Sequence, residues 1–83
     1  MIVRKGVSEM PCRAGITTKP DERRREWERE EPTMRNWQLL GPFSSRQDAQ
    51  EWENEQPCIR HGGGNEPDAR GVQWWGYRFD YID

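Results

Sequence analysis

Residues 12–30 read CRAGITTKPDERRREWERE, and the elements on either side are placed from this stretch. Cys12 to Ile16 has the composition of a short extended segment, passing Gly15 before a turn over Thr17, Thr18, Lys19 and Pro20. A helix then opens with Asp21, Glu22, Arg23, Arg24 and Arg25. Thr18 followed three residues later by Asp21 fits a capping pattern, and Pro20 suits a first turn that needs no backbone donor. Acidic residues at the positive end of the helix are favourable. The cationic cluster falls close to Gly15, where a backbone can be approached tightly. Such an arrangement is suited to holding a phosphate.

The chain has 83 residues, 31% hydrophobic and 34% charged, near the composition at which chains fail to bury enough surface to fold. Trp27, Trp37, Trp52, Trp74 and Trp75 change that expectation. Each large aromatic hides roughly 150–250 Å². At about 25 cal/mol per Å², that is on the order of 4–6 kcal/mol gross. With Phe43, Tyr77, Phe79 and Tyr81 they supply an aromatic core for one small domain over residues 1–83. A chain this short is expected to gain no more than roughly 3–5 kcal/mol net from it. The aromatic residues are read as core before they are read as platforms for stacking on bases.

The net charge of −2 is unevenly spread. Residues 1–25 carry seven Lys/Arg against three acids, and residues 26–83 carry six against twelve. This excludes an overall basic nucleic-acid binder but leaves room for a basic face. No apolar run approaches the ~18 residues of a membrane span, and Met1 opens no export-signal pattern. The reading is therefore cytoplasmic, without a membrane partner, and with Cys12 and Cys58 as reduced, buried thiols. Cys12, Cys58 and His61 could offer three metal ligands, but the paired spacing of structural zinc sites is absent.

Met1–Val3 is expected as a short strand, with Cys12–Ile16 returning as its hairpin partner. The charged helix should run from Pro20 to about Glu31, where Pro32 stops it, and dock through Trp27, its only large apolar residue. Asn36–Gly41 reads as a strand that Gly41 and Pro42 break. Ser44 or Ser45 caps a second helix to about Gln56, placing Ala49, Trp52 and Glu53 on one face. A carboxylate on a face that looks inward is unusual, and its ordinary reading is a residue at the rim. Residues 60–71, with the Gly62-Gly63-Gly64 tract, read as a flexible loop. Val72–Ile82 is the clearest strand: Trp75, Tyr77, Phe79 and Tyr81 alternate with Trp74, Gly76, Arg78 and Asp80. The fold class is α+β, a small antiparallel sheet flanked by two helices.

With these elements in order, residues 1–55 resemble the GIY-YIG nuclease superfamily. The resemblance rests on Gly15 and Arg23, eight residues apart, on Ala49 and Glu53 in an A-x-x-x-E spacing, and on Gly15-Ile16-Thr17, similar to a frequent G-x-T. It implies that Arg23 steadies phosphate charge and that Glu53 holds a divalent cation, Mg or Mn. The family's two tyrosines fall here on Val3 and Arg13, and neither can take a proton from an attacking water. Tyr77, Tyr81 and His61 are the remaining groups able to do so.

What the resemblance implies is a catalytically impaired module that associates with DNA or RNA or regulates by binding. Arg13, Lys19, Arg23 and Arg24 would contact phosphates, and Arg23 and Glu53 would be the catalytic remnant. The alternative is an active metal-dependent phosphodiesterase with a replacement base. A third reading is an interaction domain, because WQLLGPFSSRQDAQEW (37–52) resembles the strand–turn–helix of peptidoglycan-binding SPOR domains.

Overall fold

A computed structural model describes residues 11–62 and 66–82. The fold is α+β, in the order β1 (Cys12–Thr17), α1 (Pro20–Glu30), β2 (Arg35–Phe43), α2 (Arg46–Asn54), β3 (Arg60–His61) and β4 (Trp74–Asp80). The strands form one sheet in the order β2-β4-β1-β3. Both long pairings of β4 are antiparallel, whereas β1 and β3 are parallel, so the sheet is mixed and not purely antiparallel as expected. A single strand, β2, separates the two helices, where a repeated strand–helix–strand unit of the SPOR kind would place two. Met1–Val3, expected to pair with β1, lies outside the described residues. Among the described residues the antiparallel neighbour of β1 is β4. No described helix is long and apolar enough to cross a membrane.

Alternation along β1 and β4 divides the sheet into two working faces. Cys12, Ala14, Ile16 and Trp74 lie on one, against Ala49 of α2 and Cys58 beyond it. Arg13, Gly15, Thr17, Tyr77 and Phe79 lie on the other, which α1 covers through Trp27. The sequence suggested one buried face for the last strand. Instead Trp74 and Gly76 are buried as well as Tyr77 and Phe79, because β4 is central and has a helix on each side.

Local signals succeed where short-range chemistry decides. Ser45 caps α2, its hydroxyl accepting from the Asp48 amide at 3.0 Å. The helix buries Ala49 and Glu53 and ends at Asn54, two residues before the expected stop. The capping pattern at α1 is corrected. Lys19 is the N-cap and no side chain caps it, while the Thr17 hydroxyl accepts from the Lys19 amide at 3.0 Å. No residue of α1 is buried, so the helix is attached by half-buried groups such as Trp27.

Two other boundaries differ. β2 runs through Gly41 and Pro42 to Phe43, with Gly41 at φ 123° and a register shift against β4 between Leu40 and Phe43. β2 is an edge strand, so the missing N–H of Pro42 need cost no ladder bond. Within the stretch read as loop, Arg60 and His61 pair with Arg13 and Ala14 of β1, and the Gly62 amide donates to the Ala14 carbonyl at 3.0 Å.

The cysteines are not thiols. Cys12 and Cys58 form a disulfide, with Cα atoms 4.8 Å apart and a sequence separation of 46. Neither sulfur is left as a thiolate ligand for zinc. Disulfides are characteristic of oxidising compartments and rare in the cytoplasm, so this bond runs against the cytoplasmic expectation from which reduced thiols follow. Closing a loop of this length is worth about 4 kcal/mol in the chain-entropy account. That is comparable to the whole net stability expected of so short a chain. Urea unfolding with and without reductant is therefore expected to differ sharply, the reduced protein losing most of its folded baseline. Cys58→Ser should match the reduced form and show no further response to reductant.

Candidate functional site

The site on the α1 face is built around the Tyr77 phenol. Tyr77 of β4 stands directly across from Gly15 of β1. A Cβ at Gly15 would lie 2.0 Å from the Gly62 carbonyl oxygen and 2.4 Å from Tyr77 Oη. Only a residue without a side chain leaves room for this approach. Trp27 Nε1 donates to Tyr77 Oη at 3.1 Å, and Tyr77 Oη donates to the Gly62 carbonyl at 3.3 Å. Arg13 lies under the same indole, its guanidinium carbon 4.3 Å from the Trp27 ring centroid. Burial pushes the Tyr77 phenol above its ordinary value, although the Trp27 bond and the charges of Arg23 and Arg13 pull the other way. The phenol is thus a protonated donor at neutral pH and not a base.

Arg23, one turn into α1, faces the turn after β1. Its Nη2 lies 2.7 Å from Glu66 Oε2, and its Nη1 lies 3.2 Å from Glu26 Oε1. The same Glu66 oxygen accepts from Thr17 Oγ1 at 2.6 Å. Burial works to raise the Glu66 carboxyl, but the Thr17 and Arg23 hydrogen bonds outweigh it and hold the group below its ordinary value. For Arg23, burial works to lower the pKa, yet the Glu66 bond and charge leave it raised. Lys19, Glu22, Arg23, Glu26 and Glu66 line a cavity of about 150 Å³.

The four expected phosphate contacts are therefore distributed unevenly. Lys19 and Arg23 share the cavity, and Arg13 sits behind Trp27. Arg24 turns aside, pairing with Glu28 at 3.5 Å and lying over the Trp37 ring at 5.7 Å. Glu53 is on α2 and thus on the other face of the sheet. It is not a rim residue but is buried, 4% exposed. Its Oε1 accepts from Gln50 Nε2 at 3.0 Å, and its Oε2 lies 3.3 Å from His61 Nδ1. Arg23 and Glu53 make no hydrogen bond or ion pair with each other. Both act on the Tyr77 phenol, Arg23 lowering and Glu53 raising its pKa, and Glu53 also reaches it through His61 and the next residue, Gly62, which receives the Tyr77 hydroxyl.

Both Glu53 oxygens are engaged, and the described residues contain no group of three or more His, Cys, Asp or Glu able to hold a metal ion. Two participants escaped the sequence reading. Thr17 reads from sequence as a turn residue and part of a G-x-T but is the last residue of β1, and Glu66 stands past a glycine tract that carries no local signal pairing it with Arg23. Searches against protein-family models, curated proteins and solved structures return no match for the chain.

Two measurements check this geometry. Gly15→Ala should destabilise the fold by about 1–3 kcal/mol or more, the usual cost of overpacking, read as a lowered urea midpoint. Because the Glu66 carboxyl is depressed in the folded chain, its stabilising contribution is complete above its ordinary value of 4.5 and is lost as pH falls through the lower folded value. Wild type should therefore melt above Glu66→Gln at neutral pH, and the two curves should converge in acid.

Proposed function

We propose that this chain is a catalytically impaired, GIY-YIG-like module that binds the phosphates of DNA or RNA through the Arg23 site. The observation that carries the reading is a donor set already holding an oxyanion. Arg23 Nη2 and Thr17 Oγ1 converge on one carboxylate oxygen, at 2.7 and 2.6 Å, beside Lys19. Charge-assisted bonds of this length are those with which arginine recognises phosphate. The kinship rests on the Gly15–Arg23 spacing within residues 1–55. The place beside β1 that the family's opening strand would take is filled here by the last strand, β4, which sets a tyrosine against Gly15. Impairment is supported by the missing family tyrosines at Val3 and Arg13 and by the engagement of Glu53 with His61 and Gln50.

Hydrolysis is the second reading, favoured by the nearness of the Tyr77 hydroxyl to Arg13 and Arg23. Fluorescence anisotropy with labelled DNA and RNA separates the two. Binding should weaken steadily as salt rises, and Arg23→Ala should weaken it about tenfold or more, the scale of a lost hydrogen bond to a charged group. Flat salt dependence would remove the proposal. Incubation with magnesium or manganese is expected to leave the nucleic acid intact. Cleavage that disappears in both Glu53→Gln and Tyr77→Phe would establish the second reading instead.

A further inference from the structure

The ion pair at the cavity is poorly matched as a permanent lock. Glu66 uses a single oxygen, Oε2, for both Thr17 and Arg23. Its Oε1 and the Nε of Arg23 are both buried and neither has a hydrogen-bond partner among the described residues, although the Glu66 backbone amide also acts on the carboxylate. Arginine and carboxylate commonly pair through two parallel bonds, which would satisfy both atoms. Here a buried donor and a buried acceptor are left unmade, an arrangement that costs free energy. The donor side is also richer than its occupant. Thr17 Oγ1, Arg23 Nη2 and Arg23 Nε, with the Lys19 ammonium alongside, offer more than one carboxylate oxygen uses. A tetrahedral oxyanion presents several acceptor oxygens and suits that set better.

Charge points the same way. Three carboxylates, Glu22, Glu26 and Glu66, line the cavity against two cations, Lys19 and Arg23. While Glu66 is seated, the cavity repels an anion; with Glu66 withdrawn, acids and bases balance. We propose that Glu66 is a built-in competitor for phosphate: its carboxylate fills the Arg23–Thr17 seat, and a phosphate group binds there by displacing it. The inference rests on the phosphate-binding reading above and adds its regulation. A tethered carboxylate competes at high effective concentration, so only a ligand with further contacts along its backbone, or one present in excess, takes the seat.

The test is calorimetry with inorganic phosphate and anisotropy with a 5′-phosphorylated oligonucleotide, on wild type, Glu66→Ala, Glu66→Gln and Glu22→Gln. Glu66→Ala is expected to bind phosphate at least tenfold more tightly than wild type, Glu66→Gln to gain in the same direction, and Glu22→Gln to gain little. Equal gains in Glu22→Gln and Glu66→Gln would reduce the effect to bulk charge and overturn the inference. So would an unchanged affinity in Glu66→Ala. Should Glu66→Ala lose its folded circular-dichroism signal, Glu66→Gln decides alone, and no gain there counts against the proposal. The two readings fail separately. Tighter phosphate binding without any oligonucleotide binding leaves the competitor and removes the nucleic-acid partner. Oligonucleotide binding that needs Arg23 but ignores Glu66 does the reverse.

Discussion

The Tyr77 phenol in its slot opposite Gly15 is the contact on which the α1 side of the molecule depends. It receives the Trp27 indole N–H and gives its own proton to the Gly62 carbonyl, so one oxygen joins α1, β4 and the segment after β3. The ring itself is stacked on Trp37 at 5.1 Å, and Trp27 packs on Phe79 at 5.3 Å. Each bond contributes about 1 kcal/mol and each aromatic pair about 0.5–1.5 kcal/mol. None is large alone. Together they hold a helix that buries no residue of its own, and with it the position of Arg23.

The candidate chemistry is split by the sheet. Arg13, Arg23, Thr17 and Tyr77 belong to the α1 face, and Glu53 with His61 to the α2 face. Arg23 bonds to Glu66 and Glu26, whereas Glu53 bonds to Gln50 and His61, although the Glu53 charge still bears on the Tyr77 phenol. That separation favours a binding role for Arg23 that does not require Glu53. It also explains how a carboxylate is tolerated at 4% exposure: its partners are a histidine and a glutamine on its own side.

Much of this was legible where a local pattern fixes the outcome. Trp27 as the attachment of α1, the cap at Ser45 and the shared face of Ala49 and Glu53 follow from periodicity and short-range hydrogen bonding. The eight-residue step from Gly15 to Arg23 brings both to one face because a strand, a turn and a single helical turn span it. What escaped the reading depends on distant segments. The place of β4 between β1 and β2 is a matter of pairing partners, which alternation along one strand cannot specify. The 43-residue separation of Glu66 from Arg23 leaves no trace in composition. The disulfide was missed because compartment was inferred first and the thiol state drawn from it, whereas Cα atoms 4.8 Å apart permit the bond directly.

The position of β4 also bears on how the chain reaches its native state. β1 and β2 are not neighbours in the sheet; each is bonded to the strand that lies between them and that is synthesised after both. Until residues 74–80 have left the ribosome, the two earlier strands lack the partner that unites them, and the aromatic surface of Trp27 and Trp37 has nothing to close upon. Completion of the sheet therefore waits on the last strand and rests on pairings between remote parts of the chain.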